Sequence, residues 1–335
     1  ARVAAAGPVG GAAMAEVTGF AIALGADGKG HDVDPAEGCR ERAAGGFVWV
    51  HLDGNAEDML GWLREHGDLP ETVFHALTAI ETRPRTEPTG QGALVNLRGP
   101  TIGGGEGDKL VSIRCWVEAG RAITVSFRPL DGLDELTARM RDGGISDPGD
   151  LVSALATAIT RKIDPVITDL GDLVDDCETA LDPRQAYETR RRIAGARSDA
   201  IIYRRFVVPQ REALARLSTL EADWLEEGDR LHLREAADRF ARMAEELEAV
   251  RERSALIHEQ LTDLRAELIE NRALWLSIVA LVFLPLTFLT GLLGMNVEGI
   301  PFAKEPWAFG AVCALCTGLA AALLGWFAAK HWFGR

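Results

Sequence analysis

No surplus of basic residues, no phosphate-cradling glycine loop and no finger-like spacing of cysteine with histidine occur in this chain, and each absence removes a class of function. Lysine and arginine total 36 against 50 for aspartate and glutamate, a net charge of -14, whereas a nucleic-acid face needs basic charge for the phosphates. Nucleic acid is thereby excluded as a partner, and the surplus of carboxylates suits a protein that concentrates cations. The five cysteines, Cys39, Cys115, Cys177, Cys313 and Cys316, are scattered, as reduced thiols of a cytoplasmic soluble part would be. Cys313 and Cys316 formally match a CxxC pair, but they fall inside an apolar run, where two small residues three apart share a helix face; packing is preferred over metal ligation. Gly103, Gly104 and Gly105 lack the Lys and Ser/Thr of a phosphate loop and read as a hairpin turn. No nucleophile, base and oxyanion set can be assembled, so the chain does not read as an enzyme. Residues 1–14 have neither the apolar centre nor the basic start of a signal peptide and read as a loose tail or an expression remnant.

What is present is a pair of long apolar runs. From Ala273 to Leu293 there is no charged residue, the length of about 20 residues that a helix needs to cross a bilayer. A second run, Trp307 to Ala329, follows a short loop and ends at Lys330 and His331, so the two should form a helical hairpin in lipid. Mean hydropathy near zero and 26% charged residues show that the rest is not membrane, and the residues before Ala273 are enough for a sizeable core. Arg265 and Arg272 precede the first span, Lys330 and Arg335 follow the second, and the loop between holds Lys304 beside Glu298 and Glu305. The positive-inside rule then puts both termini in the cytoplasm.

The soluble part alternates two periods. Val17 to Leu24, Phe47 to Leu52, Leu94 to Arg98, Leu110 to Val117 and Ala122 to Phe127 are predicted strands; Ala56 to Glu65, Glu71 to Ile80 and Asp131 to Arg141 have helical spacing. The expected class is an α/β cytoplasmic domain in α/β/α layers. His51 and Asp53 could suggest a catalytic pair, but their place at a strand end favours a structural role. Long helices follow. Leu151 to Leu181 is rich in aspartate and Pro183 to Leu217 in arginine, so the two should lie together, the first bending at Pro165. Asp169, Asp172 and Asp176 share one helix face, either a solvated or salt-bridged surface or a weak regulatory site for a divalent cation. Phe240, Met243, Leu247, Val250, Ser254, Ile257, Leu261, Leu264 and Leu268 alternate spacings of three and four, a coiled-coil seam whose partners are in its own chain or in other subunits. No proline or glycine interrupts Leu231 to Leu284, so this stalk should run into the first span as one rod on the order of 90 Å long.

The expected layout is therefore a cytoplasmic α/β domain with its acidic and basic long helices over 15–230, a stalk helix over 231–272, a transmembrane helix over 273–294, a periplasmic loop over 295–306, a second transmembrane helix over 307–329 and a cytoplasmic tail over 330–335. Two spans enclose little, so a pore needs several copies around an axis. Ala273, Ser277 or Leu276, Ala280, Leu284, Thr287 and Gly291 lie on one face and lead to Asn296, a candidate pore line. Leu284 would form an apolar ring of the kind that gates by dewetting, and Pro285 a hinge. Ser277, Thr287 and Thr290 have an alternative use, bonding to carbonyls of their own helix. Gly310, Ala314 and Gly318 allow close helix approach and read as packing.

Gly294, Met295 and Asn296, closing the first span after Pro285 to Gly291, resemble the signature of the CorA metal ion transporter family. With Gly299 to Pro301, Trp49 to Asp53, Arg83 to Arg85, Leu97 to Gly99 and Pro209 to Arg211, the chain looks most like the ZntB zinc transporter branch; Glu298 stands where that branch is expected to have glycine. The resemblance implies a homopentamer with a funnel-shaped cytoplasmic domain and a central pore in a bacterial inner membrane, carrying zinc with possible proton coupling, and no bound cofactor. A ring of Asn296 amides would offer neutral acceptors that touch a hydrated cation without stripping it, and Gly294 would let the backbone turn out of the helix through positive φ. The alternatives are a CorA-type magnesium or cobalt channel and a membrane-anchored coiled-coil protein of structural or sensing role.

Overall fold

The computed structural model describes residues 19–40, 46–80, 82–103, 109–182, 185–295, 299–300, 302 and 304–332. The chain divides into two compact units, Ala1–Ala180 with Tyr187–Ile257 and Leu181–Ala186 with His258–Arg335.

The first unit is built on a seven-stranded sheet. In chain order it runs β1 (Gly19–Leu24), β2 (Gly30–Val33), α1 (Pro35–Arg40), β3 (Val48–Asp53), α2 (Met59–His66), α3 (Glu71–Thr78), β4 (Arg85–Thr89), β5 (Gly92–Pro100), β6 (Leu110–Glu118), β7 (Arg121–Ser126) and α4 (Leu133–Arg141), followed by α5 (Pro148–Thr179), α6 (Ala186–Ser218) and the start of α7 (Glu227–Leu293). The strand order is β2-β1-β3-β7-β6-β5-β4, with β3 and β7 parallel and every other neighbour antiparallel. Alternation along β3 shows why both faces are covered: Val48, Val50 and Leu52 pack under α1, α2 and α3 with Met59, Leu63, Val73 and Leu77. Trp49 points to the other face, where Ile113, Cys115 and Thr124 meet Leu136 of α4 and Leu151, Val152 and Leu155 of α5. The α/β/α layering follows from this double burial.

The predicted strands appear as β1, β3, β5, β6 and β7; β2 and β4 are additions. Both additions are sheet edges, short and polar, and β4 carries Pro88. An edge strand buries too little to need apolar alternation and is better protected by charge and proline. Beyond the end of β4, Gln210 of α6 takes over as pairing partner: its Oε1 accepts from the Arg98 N–H at 2.6 Å and its Nε2 donates to the Arg98 carbonyl at 3.0 Å. Arg98 stacks on Phe206, 4.0 Å from the ring centre.

The long helices of this unit form a three-helix bundle with seven-residue seams. Buried side chains are Ile163, Ile167, Leu170, Val174 and Cys177 on α5, Ile193, Ala196, Ala200, Tyr203 and Val207 on α6, and Phe240, Met243, Leu247, Val250, Ser254 and Ile257 on α7. The seam of α7 is thus occupied by its own chain. α5 continues through Pro165 to Thr179. Ion pairs also tie both charged helices to α7, where Arg253 meets Asp175 and Glu178 of α5 and Glu248 meets Arg204 of α6 at 2.9 Å.

Two helix starts meet in a cluster of carboxylates. Asp147 caps α5, accepting from the Asp150 N–H at 2.8 Å, and Asp229, 4% exposed near the start of α7, accepts from the Glu226 N–H at 3.0 Å and abuts Gly149, where any Cβ would strike its carboxylate. Burial pushes the Asp229 carboxyl up from 3.8 to about 6; the Glu226 N–H opposes this, and Asp147, Asp150 and Glu226 reinforce it. An acid raised in the fold stabilises below its unfolded pKa and loses that contribution as pH rises through about 6, so at neutral pH the charged Asp229 is a cost on the order of 1–2 kcal/mol after solvent screening. Asp229→Asn should therefore melt above wild type at pH well above 6, and the gap should close as pH falls below the pKa of Asp229. Thermal melts of both proteins in detergent check this; a gap that does not change with pH would contradict the assignment.

The second unit holds the rest of α7 and α8 (Ala308–Trp332). Seam burial fades along it: Leu261 is buried, Leu264 half-buried and Leu268 38% exposed.

Candidate ion pathway

Two helices in the second unit are long and apolar enough to cross a membrane, the C-terminal part of α7 and Ala308–Ala329 of α8. Each shows a packed stripe. On α7, Leu274, Ile278, Val282, Leu286, Leu289 and Leu293 are buried or half-buried; on α8, Val312, Cys316, Leu319, Leu323 and Phe327 are half-buried. The expected packing ridge of Gly310, Ala314 and Gly318 is instead exposed, and nothing within 4 Å would meet a Cβ at either glycine. Larger side chains fill the hairpin through van der Waals contact, the packing term that acts between helices in lipid, while Gly310, Ala314 and Gly318 face outward. Cys316 belongs to the packed stripe and Cys313 is exposed. Trp275 and Trp326 at one end of the hairpin, and Phe302, Trp307 and Phe309 at the other, are all exposed, as aromatic residues at two membrane interfaces would be.

The sequence-derived pore line, Ala273, Ser277, Ala280, Leu284, Thr287 and Gly291, is exposed throughout. At about 100° per residue its direction lies on roughly the opposite side of α7 from the packed stripe. Leu284 is 76% exposed, and with Ser277, Ala280, Leu319 and Leu323 it borders an open groove of about 490 Å³. The hydroxyls of Ser277, Thr287 and Thr290 donate to the carbonyls of Ala273, Phe283 and Leu286 at 2.9, 2.7 and 3.0 Å. Having spent its proton on the helix, each oxygen offers only lone pairs to anything beside it. The two uses expected of these hydroxyls are therefore compatible.

At the end of α7 the Gly294 N–H donates to the Thr290 carbonyl at 2.9 Å. Gly294 does not take positive φ; among the described residues of the loop, that conformation falls at Gly299 (φ 109) and Phe302 (φ 61). Glycine at 294 is required by space instead, since a Cβ there would come within 2.9 Å of the Thr290 oxygen. Met295 is 48% exposed; Asn296 and Glu298 lie outside the described residues.

In the first unit, Asp169, Asp172 and Asp176 are all exposed on α5, and among the described residues no group of three His, Cys, Asp or Glu side chains is placed to hold a metal ion. Burial pushes the thiols of Cys39 and Cys115 up to about 12, which keeps both protonated at neutral pH. His51 is structural: its Nδ1 bonds to the Thr124 hydroxyl at 2.9 Å, Phe20 stacks on its ring, and burial lowers its pKa to about 4, so the ring is neutral.

The sequence profile of the family described as CorA-like Mg2+ transporter protein matches residues 44–330. The chain belongs to the CorA family. Within that family it lies in the ZntB branch: the zinc transport protein ZntB of Pectobacterium atrosepticum is 32% identical over 286 residues, 85% of this chain and 87% of that protein. Among solved structures, that of the full-length CmaX protein is 29% identical and superposes with a TM-score of 0.76 over 96% of this chain and 100% of its own. The complete CorA magnesium transporter of Methanocaldococcus jannaschii, 17% identical, shares the fold with a TM-score of 0.75 over 94% of this chain and 98% of its own. CorA-family membership points to transport as the role and makes the apolar hairpin of α7 and α8 its membrane part.

Proposed function

We propose that this chain carries divalent cations, zinc foremost, across a bacterial inner membrane as a homopentamer around a central pore. The observation that carries the reading is the pore line itself: Ala273, Ser277, Ala280, Leu284, Thr287 and Gly291 share one exposed side of α7, while the opposite side packs in the chain. A membrane helix with such a face, flanked by hydroxyl oxygens already turned to acceptors, has use for it around an axis of like helices. Five copies of Leu284 would make the apolar constriction, and Gly294, Met295 and Asn296 the outer mouth. The soluble part over 15–230, the stalk over 231–272 and both termini face the cytoplasm in this reading, with 295–306 outside. Support comes also from the ZntB relatives, whose name states zinc transport.

The test is purified protein in proteoliposomes, with a zinc-sensitive dye inside, magnesium and cobalt in parallel, and each run repeated with a pH gradient. Zinc entry is expected, faster with the gradient if protons are coupled. Magnesium entry without zinc would make the chain a magnesium channel, and vesicles impermeable to every ion would leave a membrane-anchored structural or sensing protein.

A further inference from the structure

Building on the assembly proposed above, we infer that the outward face of α5 docks on the outward face of α6 in a neighbouring copy of this chain, acid against base. Because α5 turns Ile167, Leu170 and Val174 into the bundle, Asp169, Asp172 and Asp176 stay exposed on its far side. Because α6 turns Ile193, Ala200 and Val207 inward, its solvent side presents Arg191 and Arg205 with Ile201 and Ile202 between them, these two 51% and 42% exposed. Among the described residues, none of the three carboxylates, nor Arg191 or Arg205, forms an ion pair within the chain. Arg205 only leans over the ring of Phe206, 5.7 Å from its centre.

Both faces point away from the seam that α5 and α6 share with α7, so they cannot meet inside one molecule. With a net charge of -14, copies of this chain repel one another, and like-on-like contact through α5 would set acid on acid. Acid on base is the pairing that brings copies together. Ile201 and Ile202 supply an apolar centre and the arginines a charged rim, the usual anatomy of a protein interface. A contact between two different faces of the same chain is heterologous, and repeated around an axis it closes a ring.

The experiment measures the assembly state of the full chain in detergent by mass photometry on dilution, with thermal melts to keep unfolding apart from dissociation. Arg191→Glu with Arg205→Glu, and separately Asp169→Arg with Asp172→Arg, should each weaken assembly by roughly tenfold or more, because like charges then face each other. The chain carrying all four substitutions restores the pairing with signs exchanged and should return towards wild type. Reversal variants that dissociate like wild type, or a fourfold variant no tighter than either pair, would overturn the contact. Zinc flux reports on the transport reading separately: an assembly that responds to charge reversal but carries no zinc would keep this contact and remove that reading. A monomeric wild type would remove the contact together with the pentamer.

Discussion

Zinc entry into proteoliposomes should fall tenfold or more when Asn296 is replaced by alanine, while the solubilised assembly keeps its mass and melting temperature. The expectation follows from the position of Asn296, two residues past Gly294, where the intrahelical bonding of α7 has just ended in the Gly294 N–H to Thr290 bond. A substitution of asparagine by alanine away from any buried seam costs a fold little. In the proposed assembly it removes a neutral amide oxygen from each copy around the mouth. Each lost contact to a hydrated ion is worth about 1 kcal/mol, several act on the same ion, and every 1.4 kcal/mol is tenfold. Asn296→Asp separates two designs of entrance. It keeps an acceptor and adds charge, so an entrance that works by electrostatic attraction would tolerate it, whereas one built for weak neutral contact would hold the ion and slow its release. Wild-type flux in the alanine variant would sink the assignment of Asn296 to the entrance.

Arg121→Ala should destabilise the protein by about 3–5 kcal/mol, a drop of roughly 10 °C or more in the melting temperature of the full chain in detergent. Arg121 is 1% exposed. Its Nε donates to Glu118 at 2.8 Å across the turn from β6 to β7, and its Nη1 donates to the carbonyls of Gly67, at 3.0 Å, and Cys39. One guanidinium thus ties the sheet to the ends of α1 and α2. Alanine would take the cation away from a buried carboxylate and leave two carbonyls without their donor, and removing one member of a buried pair costs more than replacing both. The control is Arg121→Met combined with Glu118→Gln, which fills the space without an uncompensated charge and should recover part of the loss. A melting temperature of Arg121→Ala within about 1 °C of wild type would show that the pair carries no such burden.

Much of this architecture was legible in the chain alone because it rests on local period and on solvent class. Ala273–Leu293 has the length and apolarity of a span, and the threes and fours from Phe240 to Ile257 had to be buried somewhere. Five strands declared themselves because their two faces are covered and their residues are correspondingly apolar. Gly294, Met295 and Asn296 carried the family. β2 and β4 escaped notice because an edge strand is chosen to be polar, and Arg121 because nothing local marks an arginine that will meet carbonyls 54 and 82 residues away. The seam of α7 could not name its partner, since an apolar stripe is satisfied equally by its own chain or by another; burial against α5 and α6 decided it. The positive φ expected of Gly294 is absent: positive φ is a backbone demand readable from residue type, but the closeness of the Thr290 oxygen is a matter of three-dimensional space. Likewise, aspartates on one helix face left both a solvated surface and a cation site open, and only the fold showed which cations their neighbours on α5 already hold and that Asp229, one carboxylate among many, lies buried among its own kind. Period and polarity are properties of neighbouring residues and survive in one dimension. Which side chains meet across the bundle and the sheet is a property of packing, and it exists only once the chain has folded.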